Sequence, residues 1–82
     1  MNKSYSIGDV AEQTGITEKR LRYWELRGFI KPQKMVLGKR YLRRYSEDQI
    51  RFIRAVKAQL DKGFTLQASI KLAQDGHREG GV

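Results

Sequence analysis

The sequence predicts a mainly α domain of four helices, with one short β-hairpin inserted between the second and the third. Three observations carry this prediction. Apolar residues recur at helical spacing in four segments, and capping residues or glycines mark the ends of those segments. One further segment, 33–45, lacks that spacing and places β-prone runs on either side of a glycine.

Taken in order, residues 1–5 read as a leader. Ser6 followed by Asp9 resembles a capping box with an acid in the first helical turn. Ile7, Val10 and Ala11 then share one face of a short first helix. Thr14-Gly15-Ile16-Thr17 interrupts it: Gly15 can take the positive φ of a tight turn, and Thr17 can cap the next helix. The second helix is expected over 17–27, ending at Gly28. Leu21 and Trp24 lie on its inner face, with Lys19, Arg22, Tyr23 and Leu26 opposite. Phe29 and Ile30 are expected to enter the core, and the chain turns at Pro32.

The hairpin comprises Met35-Val36-Leu37, a turn at Gly38-Lys39, and Arg40 to Tyr45. Ser46-Glu47-Asp48-Gln49 is a capping box opening the third helix, along which Ile50, Ile53, Val56 or Lys57, and Leu60 follow at helical spacing to Gly63. Thr65 opens a fourth helix through Leu66, Ile70 and Ala73, expected to end at Gly76. The predicted organisation is one domain over 1–75 and a flexible tail over 76–82, in which the lone His77 receives no role.

Composition narrows the function. With 82 residues the core is thin, burying roughly 60–65% of the unfolded surface. There is no cysteine to supply a disulfide framework or a thiolate metal site. No stretch approaches the ~20 apolar residues needed to cross a bilayer, and no secretory leader pattern is present. A cytoplasmic protein without a membrane partner is expected. Asp9, Glu12, Glu25, Glu47 and Asp48 supply carboxylates, but none pairs with a histidine, serine or cysteine at a catalytic spacing. An enzyme is therefore not expected, nor a cofactor or a metal.

Charge points to a polyanion. The chain holds 17 Lys and Arg against 9 Asp and Glu, a net +8. Ten of those cations fall between Lys19 and Arg44, where Glu25 is the single acid. That window carries +9 and the rest of the chain sums to −1. Basic charge concentrated on a folded domain is the footprint of a nucleic-acid binder. Two short helices joined by a glycine-containing turn, the second with a cationic outer face, describe a helix-turn-helix. With a basic hairpin after it, the predicted fold becomes a winged helix-turn-helix.

Six segments in this order carry a family resemblance. They are Tyr5-Ser6-Ile7-Gly8-Asp9-Val10-Ala11, Thr14-Gly15-Ile16-Thr17, Leu21-Arg22-Tyr23-Trp24-Glu25, Gly28-Phe29-Ile30 with Pro32, Tyr45-Ser46-Glu47-Asp48, and Gly63-Phe64-Thr65-Leu66. Together they resemble the N-terminal DNA-binding domain of the MerR family of bacterial transcription regulators, over about residues 5–74. The chain departs from the family pattern at Arg20, where a threonine is commoner, at Trp24, where a tyrosine is commoner, and in a longer wing.

The resemblance implies sequence-specific binding of double-stranded DNA, with helix 17–27 in the major groove and wing 33–45 on the flanking backbone. Thr17, Lys19, Arg20, Arg22 and Tyr23 are the implied contacts of the helix. Lys34, Lys39, Arg40, Arg43 and Arg44 are those of the wing. Arg22 can fork onto a guanine edge or a phosphate. Thr17 and Tyr23 can hydrogen-bond phosphates. Trp24 and Phe29 are expected in the core, and Arg51, Arg54 and Lys57 on a solvated helix face. The resemblance also implies RNA polymerase as a partner, and a homodimer built on a long helix that lies outside these residues.

The alternative is an architectural or recombination accessory protein similar to the phage excisionases, which are also small and carry a basic wing. A third class, a protein-interaction module, would use the apolar wing residues Met35, Val36 and Leu37.

Overall fold

The computed structural model describes residues 3–79. Among them run β1 (Ser4–Tyr5), α1 (Ile7–Thr14), α2 (Glu18–Leu26), β2 (Gln33–Leu37), β3 (Arg40–Ser46), α3 (Glu47–Asp61) and α4 (Leu66–Glu79). The chain forms two compact units, Met1–Ile50 and Arg51–Val82.

In the first unit the predicted caps form. Ser6 Oγ accepts from Asp9 N at 3.1 Å and Asp9 Oδ2 accepts from Ser6 N at 3.3 Å, closing a capping box at the start of α1. The turn into α2 depends on Gly15 and Thr14. Gly15 caps α1 with φ 77°, a left-handed conformation that costs other residues about 1–2 kcal/mol. The buried Thr14 hydroxyl donates to Val10 O at 2.7 Å and accepts from Ile16 N at 3.2 Å. One side chain thus ties the last turn of α1 to the linker. Thr17 then caps α2, its hydroxyl accepting from Arg20 N at 3.2 Å.

The expected hairpin gains a third strand. β2 and β3 pair antiparallel from Gln33↔Arg44 to Leu37↔Arg40, leaving a two-residue turn at Gly38-Lys39. Gly38 has φ 62° and Lys39 does not share a positive φ, the pattern of a type II′ turn. On the other edge of β3, Ser4 and Tyr5 pair with Ser46 and Tyr45. A two-residue strand shows no alternation, so this segment read as a leader. The core of the unit comprises Val10, Ile16, Leu21, Trp24, Ile30, Tyr45 and Ile50. Phe29, expected there, is only half-buried.

In the second unit Ile53, Val56, Ile70 and Ala73 are buried, and the Thr65 hydroxyl accepts from Ala68 N at 3.2 Å at the start of α4. The capping box of α3 lies at the junction of sheet and helix: Ser46 Oγ accepts from Gln49 N, and Gln49 Oε1 accepts from Ser46 N. The helix end expected at Gly76 is not observed, since α4 runs through it to Glu79. The remainder of the predicted tail, 80–82, lies outside the described residues.

The Thr14 hydroxyl has a measurable worth. Thr14→Val keeps the shape but leaves the buried Ile16 N–H without its acceptor. A loss of about 1–3 kcal/mol in urea unfolding is expected.

Candidate nucleic-acid interface

The predicted helix contacts all reach solvent. Thr17, Lys19, Arg20, Arg22 and Tyr23 are all exposed, whereas Leu21 and Trp24 on the opposite side of α2 are buried. The Thr17 hydroxyl uses one lone pair for the cap and keeps its O–H to donate elsewhere. Arg22 Nη2 donates to Glu18 Oε1 at 3.2 Å across one helical turn. Both side chains are about half-exposed, so this pair holds the guanidinium loosely and contributes little stability. Tyr23 Oη accepts from Arg27 Nη1 at 3.1 Å. Among the described residues, Lys19 and Arg20 have no ion-pair partner.

The wing cations divide into two groups. Lys39 and Arg40, at the turn, are exposed and have no ion-pair partner among the described residues. Arg43 and Arg44 are half-buried and bound within the domain. The Arg44 guanidinium clasps Ser4, with Nη2 donating to Ser4 O at 2.8 Å and to Ser4 Oγ at 2.9 Å, which fastens β1 to β3. Arg43 Nε donates to Glu25 Oε1, and Lys34 Nζ lies 3.1 Å from Glu25 Oε2. Both cations also sit near the Tyr41 ring, Lys34 Nζ at 5.3 Å and Arg43 Cζ at 5.8 Å from its centroid.

Sequence reasoning missed the role of Glu25. Lys34 and Arg43 are directly opposite across the β2–β3 ladder, an arrangement in which like charges repel. Glu25 reaches from α2 to both, so the repulsion becomes a bridge between α2 and the wing. Burial alone would push the Glu25 carboxyl up. The hydrogen bonds and charges of Arg43 and Lys34 outweigh burial and hold it below its ordinary value. The bond to Glu25 in turn raises the Arg43 guanidinium. The signal was present in the sequence as the lone acid among ten cations, although its partners depend on strand register.

The wing also exposes apolar surface. Met35, Leu37 and Leu42 fall on one face of the hairpin by register, and Val36 and Tyr41 on the other, all between 45% and 77% exposed. No group of three or more His, Cys, Asp or Glu is arranged to hold a metal among the described residues. No helix there is long and apolar enough to cross a membrane.

The chain is similar to known proteins in both sequence and fold. Residues 5–75 match the family described as MerR HTH family regulatory protein. The chain is 35% identical over 73 residues to the HTH-type transcriptional regulator YyaN of Bacillus subtilis (strain 168), covering 88% of this chain and 51% of that protein. A MerR family transcriptional regulator from Bacillus cereus superposes with a TM-score of 0.74 at 21% identity, over 85% of this chain and 51% of that one. HiNmlR, a MerR family regulator lacking the sensor domain and solved bound to promoter DNA, superposes with a TM-score of 0.71 at 19% identity. That match covers 90% of this chain and 55% of HiNmlR. The chain thus spans about half the length of the relatives it matches.

The Glu25 bridge has a pH signature. A depressed carboxylate contributes stability that is present above its ordinary value of 4.5 and is lost as pH falls through the lower folded value. Glu25→Gln should therefore lower stability by about 1–2 kcal/mol at pH 7, with allowance for solvent screening. In urea melts the variant and the wild type should converge below pH 4.5. A constant gap across that range would show that the carboxylate charge is not the source.

Proposed function

The chain belongs to the MerR HTH regulatory protein family, and on that premise we propose that it binds double-stranded DNA sequence-specifically to regulate transcription. Helix α2 enters the major groove, and the β2–β3 wing rests on the flanking phosphate backbone. The observation that carries this reading is the cationic surface shared by α2 and the wing, joined at Glu25. That a protein of the same fold was solved on promoter DNA supports it.

Within this reading the side chains divide by task. Arg22 is the base reader: its planar fork matches guanine O6 and N7, and its exposed pairing with Glu18 leaves it free to turn to a base. Thr17, Lys19, Arg20 and Tyr23 contact phosphates around the same groove, fixing register without reading sequence. Lys39 and Arg40 at the wing turn hold the neighbouring backbone. Lys34, Arg43 and Arg44 keep donors for phosphate, but their first task is bracing the wing. The protein is not an enzyme. It acts in the cytoplasm on the nucleoid, binds as a homodimer and engages RNA polymerase.

Arg22→Ala tests the base-reading role. Relative binding across a library of single-base variants of the preferred site should flatten at one base pair, and affinity for the best site should fall by about 1–3 kcal/mol. An equal loss on every sequence would reduce Arg22 to a phosphate contact.

A further inference from the structure

We propose that Tyr23, Arg27 and Phe29 form a phosphodiester-binding site at the carboxyl end of α2, with Arg27 as its principal ligand. The inference rests on the DNA-binding reading above and adds to it a residue that neither the family motif nor the charge pattern singled out. Arg27 caps α2, and its guanidinium lies over two rings, 5.9 Å from the Tyr23 centroid and 5.8 Å from that of Phe29. Nη1 donates to Tyr23 Oη at 3.1 Å. This explains why Phe29 is only half-buried: its ring supports a cation at the surface.

The arrangement prepares an anion site in three ways. Two neighbouring rings and the Tyr23 hydroxyl localise a guanidinium that would otherwise sample many rotamers, so less freedom is lost when a ligand binds. Nη1 is committed to Tyr23, while Nη2 and Nε have no partner among the described residues and can donate as a fork. Accepting a charged hydrogen bond also polarises the Tyr23 hydroxyl, making its own O–H a stronger donor to the same anion.

Competing explanations are weak. No acid neutralises Arg27 among the described residues, because the nearest carboxylate in sequence, Glu25, is engaged by Arg43 and Lys34. Backbone amides do not contribute either. The N–H groups of Arg27, Gly28 and Phe29 bond the carbonyls of Tyr23, Glu25 and Trp24 at 2.9 Å. The charge on Arg27 must therefore offset the unfavourable carboxyl end of the helix dipole, so the site depends on its side chains. Lys19, Tyr23 and Arg27 recur every fourth residue along one stripe of α2, so the site lies in line with the proposed groove contacts.

The test uses the full chain and duplexes carrying one methylphosphonate at a time, which removes the charge of a single phosphate. With wild-type protein, one linkage at the edge of the α2 footprint should weaken binding roughly fivefold to twentyfold when neutralised. Arg27→Ala should lose a similar factor on unmodified DNA, lose nothing more at that linkage, and lower the salt slope by about 0.9. Arg27→Lys, which keeps the charge but not the planar fork of donors, should recover only part of the loss. If Arg27→Ala binds like wild type and stays sensitive at every linkage, the site is wrong while the DNA-binding reading stands. A variant that melts earlier but binds unchanged would likewise make the stack structural and overturn the site. If the wild type binds no duplex, the underlying reading fails and takes the site with it.

Discussion

The placement of Glu25 between Lys34 and Arg43 is the constraint on which the reading surface depends. A strand register that sets two cations opposite one another is unfavourable by itself. It becomes favourable only because a carboxylate from α2 is held between them, buried enough to matter and charged enough to offset the burial. The consequence reaches beyond stability. The hairpin is tied to the helix beside it, so the two surfaces proposed to contact DNA are presented in one fixed relation. Phosphate contacts specify nothing by themselves, but in the proposed function they set the register in which Arg22 would read a base. A wing free to swing would lose that register.

The same economy runs through the rest of the first unit. Ser4 is fastened by Arg44, so a cation of the wing is used to complete the sheet. Thr14 closes the turn between α1 and α2 with a single hydroxyl. A domain this small has few buried side chains to define its geometry. Several residues that a charge count assigns to the ligand serve the fold first, and the free cations are concentrated at the wing turn and on the outer face of α2.

Much of this was legible in the sequence, for identifiable reasons. Caps and turns are local: Ser6 with Asp9, Gly15, Thr17, Gly38 and Ser46 with Gln49 each act within a few residues, and each formed where the pattern placed it. Periodicity located Leu21 and Trp24 in the core, and the cationic outer face of α2 followed from the same spacing. What was not legible depends on partners distant in sequence. β1 is two residues long and exists only by pairing with β3. Phe29 has the hydropathy of a core residue, but Arg27 covers it from outside. Gly76 is tolerated inside α4, where a glycine costs only about 1 kcal/mol and so need not end a helix. Glu25 stood out as a lone acid, yet its role required the hairpin register that brings Lys34 and Arg43 together.

The central claim is that one cationic surface, made of α2 and the wing, reads DNA. The most direct measurement is a salt titration of binding to a random duplex and to DNA from the protein's own promoter region. About six phosphate contacts would give a log–log slope of roughly −5, and the account predicts that steep slope together with tighter binding to the promoter DNA. A steep slope without preference would contradict sequence reading and leave an architectural protein. Absence of binding at low salt would contradict the account altogether.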